Sequence, residues 1–315
     1  MESQFWVVKG VSAPAYNAHA GVYVLGVPQP TAVSGWIHAW LRGISKAAGV
    51  PLGGDSKFVY AVDHYSSPTG ISLNTRTAKN TDRADKAIPA AIIDRARSHV
   101  TISIIVEWTS FSNSDRTMIT RERIKSAIEK TRLMGASLFI DSLDNISLEN
   151  SLPDALRKLG ASSFILSDAS SVLRRTLEEE RVDDPSMGII EAMANMLSRP
   201  LDGSYKPRYV PVLSGYQTLD SSTRRPELSG SCIAPHGSLP VDDFRPRREQ
   251  YQHRHVEPIL STGLFQSKAS ALKSLRENRF HGLWRLVENE EDGLFVLVGT
   301  CLDEDLVDID DISLI

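Results

Sequence analysis

With 315 residues, 41% of them hydrophobic and 23% charged, the chain has the composition of a globular protein with a sizeable core, not of a disordered or fibrous one. It has no run of 18 apolar residues, and Met1-Glu2-Ser3-Gln4-Phe5-Trp6 lacks the positive and apolar regions of a signal peptide, so the expected location is the cytoplasm, away from any membrane. The net charge of −4 argues against nucleic acid only until it is mapped: the ten acids from Glu288 onward have no Lys or Arg among them, and without them 35 basic residues stand against 29 acids.

Taken in chain order, Phe5–Gly10 reads as a strand. Ser12–Pro30 follows as a segment of small residues broken by Pro14, Gly21, Gly26, Pro28 and Pro30. Thr31 is a plausible N-cap for a helix to Ala48, in which Val33, Trp36, Ile37, Trp40, Leu41 and Ile44 recur at helical spacing and so belong to a core. Phe58–Val62 reads as a strand. Between Ser66 and His99 lie Arg76, Lys79, Arg83, Lys86, Arg95 and Arg97 against three aspartates, in a long loop or a projecting hairpin. Val100–Trp108 is a strand rich in Ile and Val, Thr117–Met134 a second helix and Ser137–Asp141 a further strand.

This order, strand–helix–strand–strand–helix–strand, is that of an α+β, ferredoxin-like unit, whose antiparallel sheet leaves one face free of helices. The expected organisation is therefore a core over 1–145 carrying the basic loop 66–99, a mostly helical segment over 146–205, a β-rich part over 206–300 that completes the core, and an acidic tail over 301–315. Within these parts, Phe164–Leu166, Arg208–Leu213 and Val256–Leu260 read as strands, Ser267–Glu277 as a helix, and Leu283–Val287 with Leu294–Val298 as a hairpin. A second basic stretch, Thr223–His255, holds six arginines and three histidines against four acids, in a loop rich in Pro, Ser and Gly.

The motifs of common catalysis are missing. There is no GxGxxG, no Walker-type loop, no GxSxG, no HExxH and no CxxC. Cys232 and Cys301 make neither a disulfide framework nor a zinc-ligand spacing, and Cys232 has no placed base beyond His236 in the same loop. On a strand, His253, His255 and Glu257 would share one face and could meet a metal, but no separated further ligand stands out, and the alternatives are phosphate contact or an ordinary polar face. No metal and no cofactor are expected.

Several segments occur in a telling order: Asn17-Ala18-His19-Ala20, Leu25-Gly26-Val27-Pro28, Thr31 to Ala39 with Gly35-Trp36-Ile37-His38, then far downstream Val210-Pro211-Val212, Gly215-Tyr216, Arg254-His255-Val256-Glu257 and Gly263. From about residue 5 to about 285 this resembles the second subunit of the Csy complex, the type I-F member of the Cas-five family in the RAMP superfamily. That family shows Asn-Ala-Asn-Ala, Gly-Phe-Pro, Gly-Phe-x-His, Gly-Tyr and Arg-Phe-Val-Glu at the matching places. Here His19, Val27 and His255 depart from the pattern, as does Pro258 after Glu257, which marks a divergent or minimal-variant member.

The resemblance implies a non-catalytic subunit of a CRISPR surveillance complex (Cascade) in antiviral defence. Such a subunit binds the 5′ handle of the guide RNA, caps the backbone filament, supports recognition of target DNA beside the PAM, and contacts a large subunit where the system has one. Tyr16, Asn17, His19, Gly26, Gly215, Tyr216, Arg254 and His255 are the implied contacts, with Arg76, Lys79 and Arg83 neutralising phosphates. Asn17 and His19 suit hydrogen bonds to splayed bases, Tyr16 or Tyr23 suits stacking, and the small residues permit close backbone approach to phosphate. Gly215 suits a tight turn, and His38 suits packing more than RNA. Two rivals remain: a RAMP-type endoribonuclease that processes guide precursors with His19 or His255 as base, and a protein-only scaffold of the complex.

Overall fold

The computed structural model describes residues 4–18, 26–49, 56–66, 72–76, 91–108, 118–198, 208–218, 256–289 and 294–300. Among them, the first strand is twice as long as the alternation of the sequence suggests. β1 spans Gln4–Asn17 and pairs antiparallel with β5 (Arg97–Trp108), from Gln4 opposite Trp108 to Asn17 opposite Arg97. Its apolar face holds Trp6 and Val8, then Val11 and Ala13, then Tyr16. The parity of those numbers changes twice, so a regular strand would turn half of them to the opposite face. Register shifts between Val8 and Val11 and between Ala13 and Tyr16 correct this. Gly10 (φ 65°) and Ala15 (φ 54°) sit in these two bulges, where a left-handed backbone is needed. From Val11 to Asn17 the chain is thus strand, not the loop its prolines and small residues suggest.

α1 (Pro30–Ala48) begins at Gln29, with Pro30 in the first turn, so Thr31 lies inside the helix and is not its cap. Trp36, Trp40 and Ile44 are buried as the periodicity predicts, whereas His38 is exposed. The Trp36 indole N–H donates to Thr131 Oγ1 at 2.9 Å, tying α1 to the end of α2 (Arg121–Glu129), which is shorter than the predicted Thr117–Met134. β2 spans Phe58–Ser66, and the basic stretch after it contains a two-stranded hairpin, β3 (Ser72–Arg76) with β4 (Ala91–Arg95). After α2 come β6 (Arg132–Leu133), β7 (Ala136–Ser137) and β8 (Ile146–Glu149). The predicted strand Ser137–Asp141 is reduced to β7 and one isolated bridge, Ser12 to Phe139.

β8, β1, β5 and β2 lie side by side in that order, each antiparallel to the next. β1 and β2 are joined through α1, and β5 and β8 through α2, so each connection skips one strand, as in split β-α-β units. The sheet continues through β9 (Phe164–Asp168), β11 (Val256–Ser267), β10 (Arg208–Thr218), β13 (Leu294–Thr300) and β12 (Leu283–Asn289). β12 returns to β2 through Trp284 opposite Phe58. The Trp284 indole N–H donates to the Leu166 carbonyl on β9 at 2.9 Å, so β9 and β12 share one edge of β2. The remaining α-helices among the described residues are α3 (Leu152–Lys158), α4 (Ser170–Asp183), α5 (Ile189–Ser198) and α6 (Lys268–Arg276). The class is α+β, as expected.

The two faces of the sheet are covered differently. α1 and α2 pack on the face carrying Trp6, Val8, Phe58, Tyr60, Ile102 and Ile104. On the other face α3 and α6 cover Phe5, Val7, Val59, Ala61 and Ile105. A fully helix-free face is therefore not what forms: the second face is covered at the end where β1 starts and polar at the end where β1 finishes.

Gly215 does not occupy the tight turn that its sequence neighbours suggest. It lies inside β10, where an added Cβ would collide with the Phe295 carbonyl oxygen and sit 2.9 Å from Val296 Cα. Its function is close approach of two strands. Gly215→Ala should lower stability by about 1–3 kcal/mol or more in chemical denaturation. Gly35→Ala, on an open side of α1 with nothing within 4 Å, should leave stability unchanged or raise it by up to about 1 kcal/mol.

Candidate nucleic-acid interface

The end of the second face is built from three strands in register. Beyond Ile105, the residues of β5 on this face are Ser103, Thr101, His99 and Arg97. Ser103 is buried, Thr101 half-buried, and His99 and Arg97 exposed. A register shift in β2 between Val62 and His64 sets His64 opposite Thr101 and Ser66 opposite His99. On the other side Ser12 stands opposite Thr101 and Asn17 opposite Arg97. The boundary between the covered and open parts is a hydroxyl–carboxylate network. Ser103 donates to Asp63 at 2.6 Å, Ser163 donates to the other oxygen of the same carboxylate, and the Gly10 amide donates to Ser103 Oγ at 3.2 Å. Both Asp63 oxygens are engaged, so the acid on this face is turned to structure, while the cations and imidazoles beyond it point to solvent.

The hairpin β3–β4 is spliced between β2 and β5 at this same end, so Arg76, at the close of β3, is carried on a branch of the open face. Lys79 and Arg83 lie outside the described residues. So do His19, Tyr23, Arg254 and His255, with Cys232, His253 and the acidic tail.

Tyr16 has a different part from the one expected of it. Its side chain is fully buried, which leaves no ring face for a base. Its hydroxyl donates to the Gly26 carbonyl at 2.7 Å, and the Gly26 amide donates to the Ala18 carbonyl at 3.0 Å. Burial pushes the Tyr16 phenol well above its ordinary range, so it stays a donor at any physiological pH. The two bonds fasten Gly26 to Tyr16 and Ala18, the described residues on either side of positions 19–25. Gly26 (φ 155°) has open space where a side chain would be, so its conformation and not crowding calls for glycine. Asn17, next in β1, is exposed.

The start of α1 ties this loop to the C-terminal strands. Gln29 is buried; its amide donates to Val27 O at 3.0 Å and its carbonyl accepts the Leu213 N–H at 2.8 Å. Tyr216, 37% exposed, lies three residues further along β10. The Gly215-Tyr216 pair thus belongs to the strand beside the loop base, although only Tyr216 has a surface to offer. His64, Arg97 and His99 do not stand out as contacts in the sequence. Their signal is weak there: Arg97 and His99 look like the end of a charged loop until β5 is seen to begin at Arg97.

The family model for CRISPR-associated protein (Cas_Csy2) matches residues 7–207, almost two thirds of the chain. No curated protein matches it. The chain belongs to the Cas_Csy2 family, and it is a CRISPR-associated subunit of a type I-F Csy complex. The match takes in β1 through α5 and ends just before β10, so the Gly215-Tyr216 and Arg254-His255 resemblances lie beyond it.

Two substitutions test the loop base. Tyr16→Phe removes the donor to Gly26 O and should cost about 1 kcal/mol of stability. Gln29→Ala leaves the buried Leu213 amide without its acceptor and should cost about 1–3 kcal/mol. Amide exchange should rise at Gly26 in the first variant and at Leu213 in the second; protection left intact at both would show that neither bond holds the loop.

Proposed function

We propose that this subunit is a non-catalytic grip for the 5′ handle of the guide RNA, seated on the open end of the sheet and the loop 19–25. The carrying observation is the juxtaposition of Asn17, Arg97, His99 and His64 on one face, at an end that no described helix covers, with the hairpin β3–β4 inserted between the two strands that carry His64 and Arg97. RNA backbone needs cations that reach solvent, and its unpaired bases need donors and acceptors on a firm support. The open face offers both, held by two bulged strands and the Asp63 network. Membership of the family supports assembly beside a backbone filament subunit and, where present, a large subunit. Target DNA next to the PAM would pass on the side of the basic hairpin. The ferredoxin-like, Cas-five ancestry fits the two split β-α-β units.

The non-catalytic part of the reading rests on chemistry. RNA cleavage would need a base placed against the 2′-OH and a group to stabilise the developing charge. His64 and His99 are exposed on an open surface, and the nearby carboxylate of Asp63 is bonded to two serines. Incubation with labelled repeat RNA should leave it intact. Specific cleavage that co-elutes with the protein and is lost on mutation of one histidine would favour the endoribonuclease reading.

Binding of guide RNA over a salt series tests the grip itself. Arg97→Ala/His99→Ala should weaken binding and flatten the dependence of log K on log salt, by somewhat less than about one for each phosphate left without its cation. Arg76→Ala/Lys79→Ala/Arg83→Ala should flatten it further. A slope equal to wild type in both variants would place the RNA on another surface.

A further inference from the structure

The outer edge of β1 is shared by two segments. β8 pairs with Phe5–Val8. Beyond the Gly10 bulge, Ser12 exchanges both backbone hydrogen bonds with Phe139, at 2.9 and 3.1 Å. Further on, the Asn17 amide donates to Met134 O at 3.0 Å. The segment 134–140 therefore runs along β1 as a partner strand would. Leu138 and Ile140 turn into the core beneath α1 and α2, 1% and 2% exposed, so Phe139 between them turns to the opposite face, where it is 51% exposed.

That face is the open one. Paired residues in an antiparallel ladder share a side, so Phe139, Ser12, Thr101 and His64 form one row across the sheet. Towards the rim the row is followed by His99 and Arg97. A lone exposed phenylalanine needs no explanation. This one differs because it is the aromatic end of a row whose other members are two hydroxyls and an imidazole, with His99 one step and Arg97 two steps further along the same face.

From this we propose a base-stacking subsite on Phe139: one nucleotide of single-stranded RNA lays its base on the ring, its edge towards Ser12 and Thr101, and the strand continues along the same face towards His64, His99 and Arg97. The occupant is RNA and not a protein strand, because the edge of β1 beside the ring is already bonded to Phe139 and because the same face leads on to Arg97, a cation for the phosphate backbone, while Asp141 is the exposed acid two residues from the ring. The subsite rests on the proposed RNA grip and adds to it an interaction that carries no charge. Stacking is sequence-tolerant and independent of counterion release, so it separates from the electrostatic part of binding.

The test uses the full chain and fluorescein-labelled oligoribonucleotides, first an unmodified single strand and then the same strand with one abasic position moved along it. Phe139→Ala should weaken binding on the order of tenfold or more without changing the salt slope. Phe139→Tyr should bind as wild type. One abasic position should weaken binding to wild type and leave binding to Phe139→Ala unaffected. Because the ring is half exposed, Phe139→Ala should melt close to wild type, and Phe139→Tyr retains a readout if it does not. Phe139→Ala binding RNA as wild type, with the salt slope still reduced by Arg97→Ala/His99→Ala, would overturn the subsite and leave the grip standing. Absence of salt-dependent RNA binding by the wild-type chain would overturn both. Loss of subunit assembly in Phe139→Ala with RNA affinity unchanged would assign the ring to a protein interface and overturn the subsite.

Discussion

The register of β1 against β5 is the constraint on which the other features depend. It decides which side chains enter the core beneath α1 and α2 and which stand on the open face. Two bulges keep it in phase: without the extra residues near Gly10 and Ala15, either Trp6 and Val8 or Val11 and Ala13 would have to face away from the core. The same bulges bring Asn17 level with Arg97 and Ser12 level with Thr101. Core packing and the surface array are thus one consequence of one register, and a slip of a single residue would destroy both.

The C-terminal strands hold this arrangement from the side. β9 and β12 share an edge of β2, and Trp284, fully buried, bridges them through its indole N–H. Near this seam Asp168 accepts the Ser170 amide at 2.9 Å and the Gly299 amide at 3.0 Å, while its own amide donates to His281 O at 2.9 Å. Burial raises the pKa of this carboxyl, and the amide hydrogen bonds oppose the rise. Since the folded value is raised, the contribution of Asp168 to stability is greatest below its unfolded value and declines as pH rises through the window up to the folded one. Gly299 is required here because a Cβ would strike Asp168 and the His281 carbonyl. Through Gln29 and Leu213 the same C-terminal half reaches the base of the loop 19–25, so residues almost two hundred positions apart set one surface.

Much of this is legible in the sequence where periodicity is unbroken. The buried stripe of α1, the β-rich run of β5, the hairpin β12–β13 and the alternating order of strands and helices all follow from spacing and residue type. The differences have a common physical origin. Read from the sequence, β1 ends at Gly10 because a bulge reverses the alternation that identifies a strand. Gly215 resembles a turn residue because proximity of another strand, which excludes any Cβ, leaves no local mark. Tyr16 resembles a stacking residue because burial of a tyrosine at a strand end depends on what packs over it. Arg97 and His99 are hidden because their common face with His64 and Asn17 exists only once three strands are in register. The family-like runs near Asn17 and Gly26 lie at the polar end of the sheet, where Tyr16 and Gly26 are bonded to each other and not presented as a surface.

The resulting account divides the work among parts of the chain. The bulged strands and the Asp63 network give a firm support, and the polar end presents Asn17, His64, His99 and Arg97. Photocrosslinking of guide RNA in the assembled complex, followed by mass spectrometry of the crosslinked peptides, tests this division most directly. The account predicts crosslinks in peptides that contain Asn17, His64 and the stretch Arg97–Thr101. Crosslinks confined to α4 and α5, between Ser170 and Ser198, with none on the open face, would contradict it.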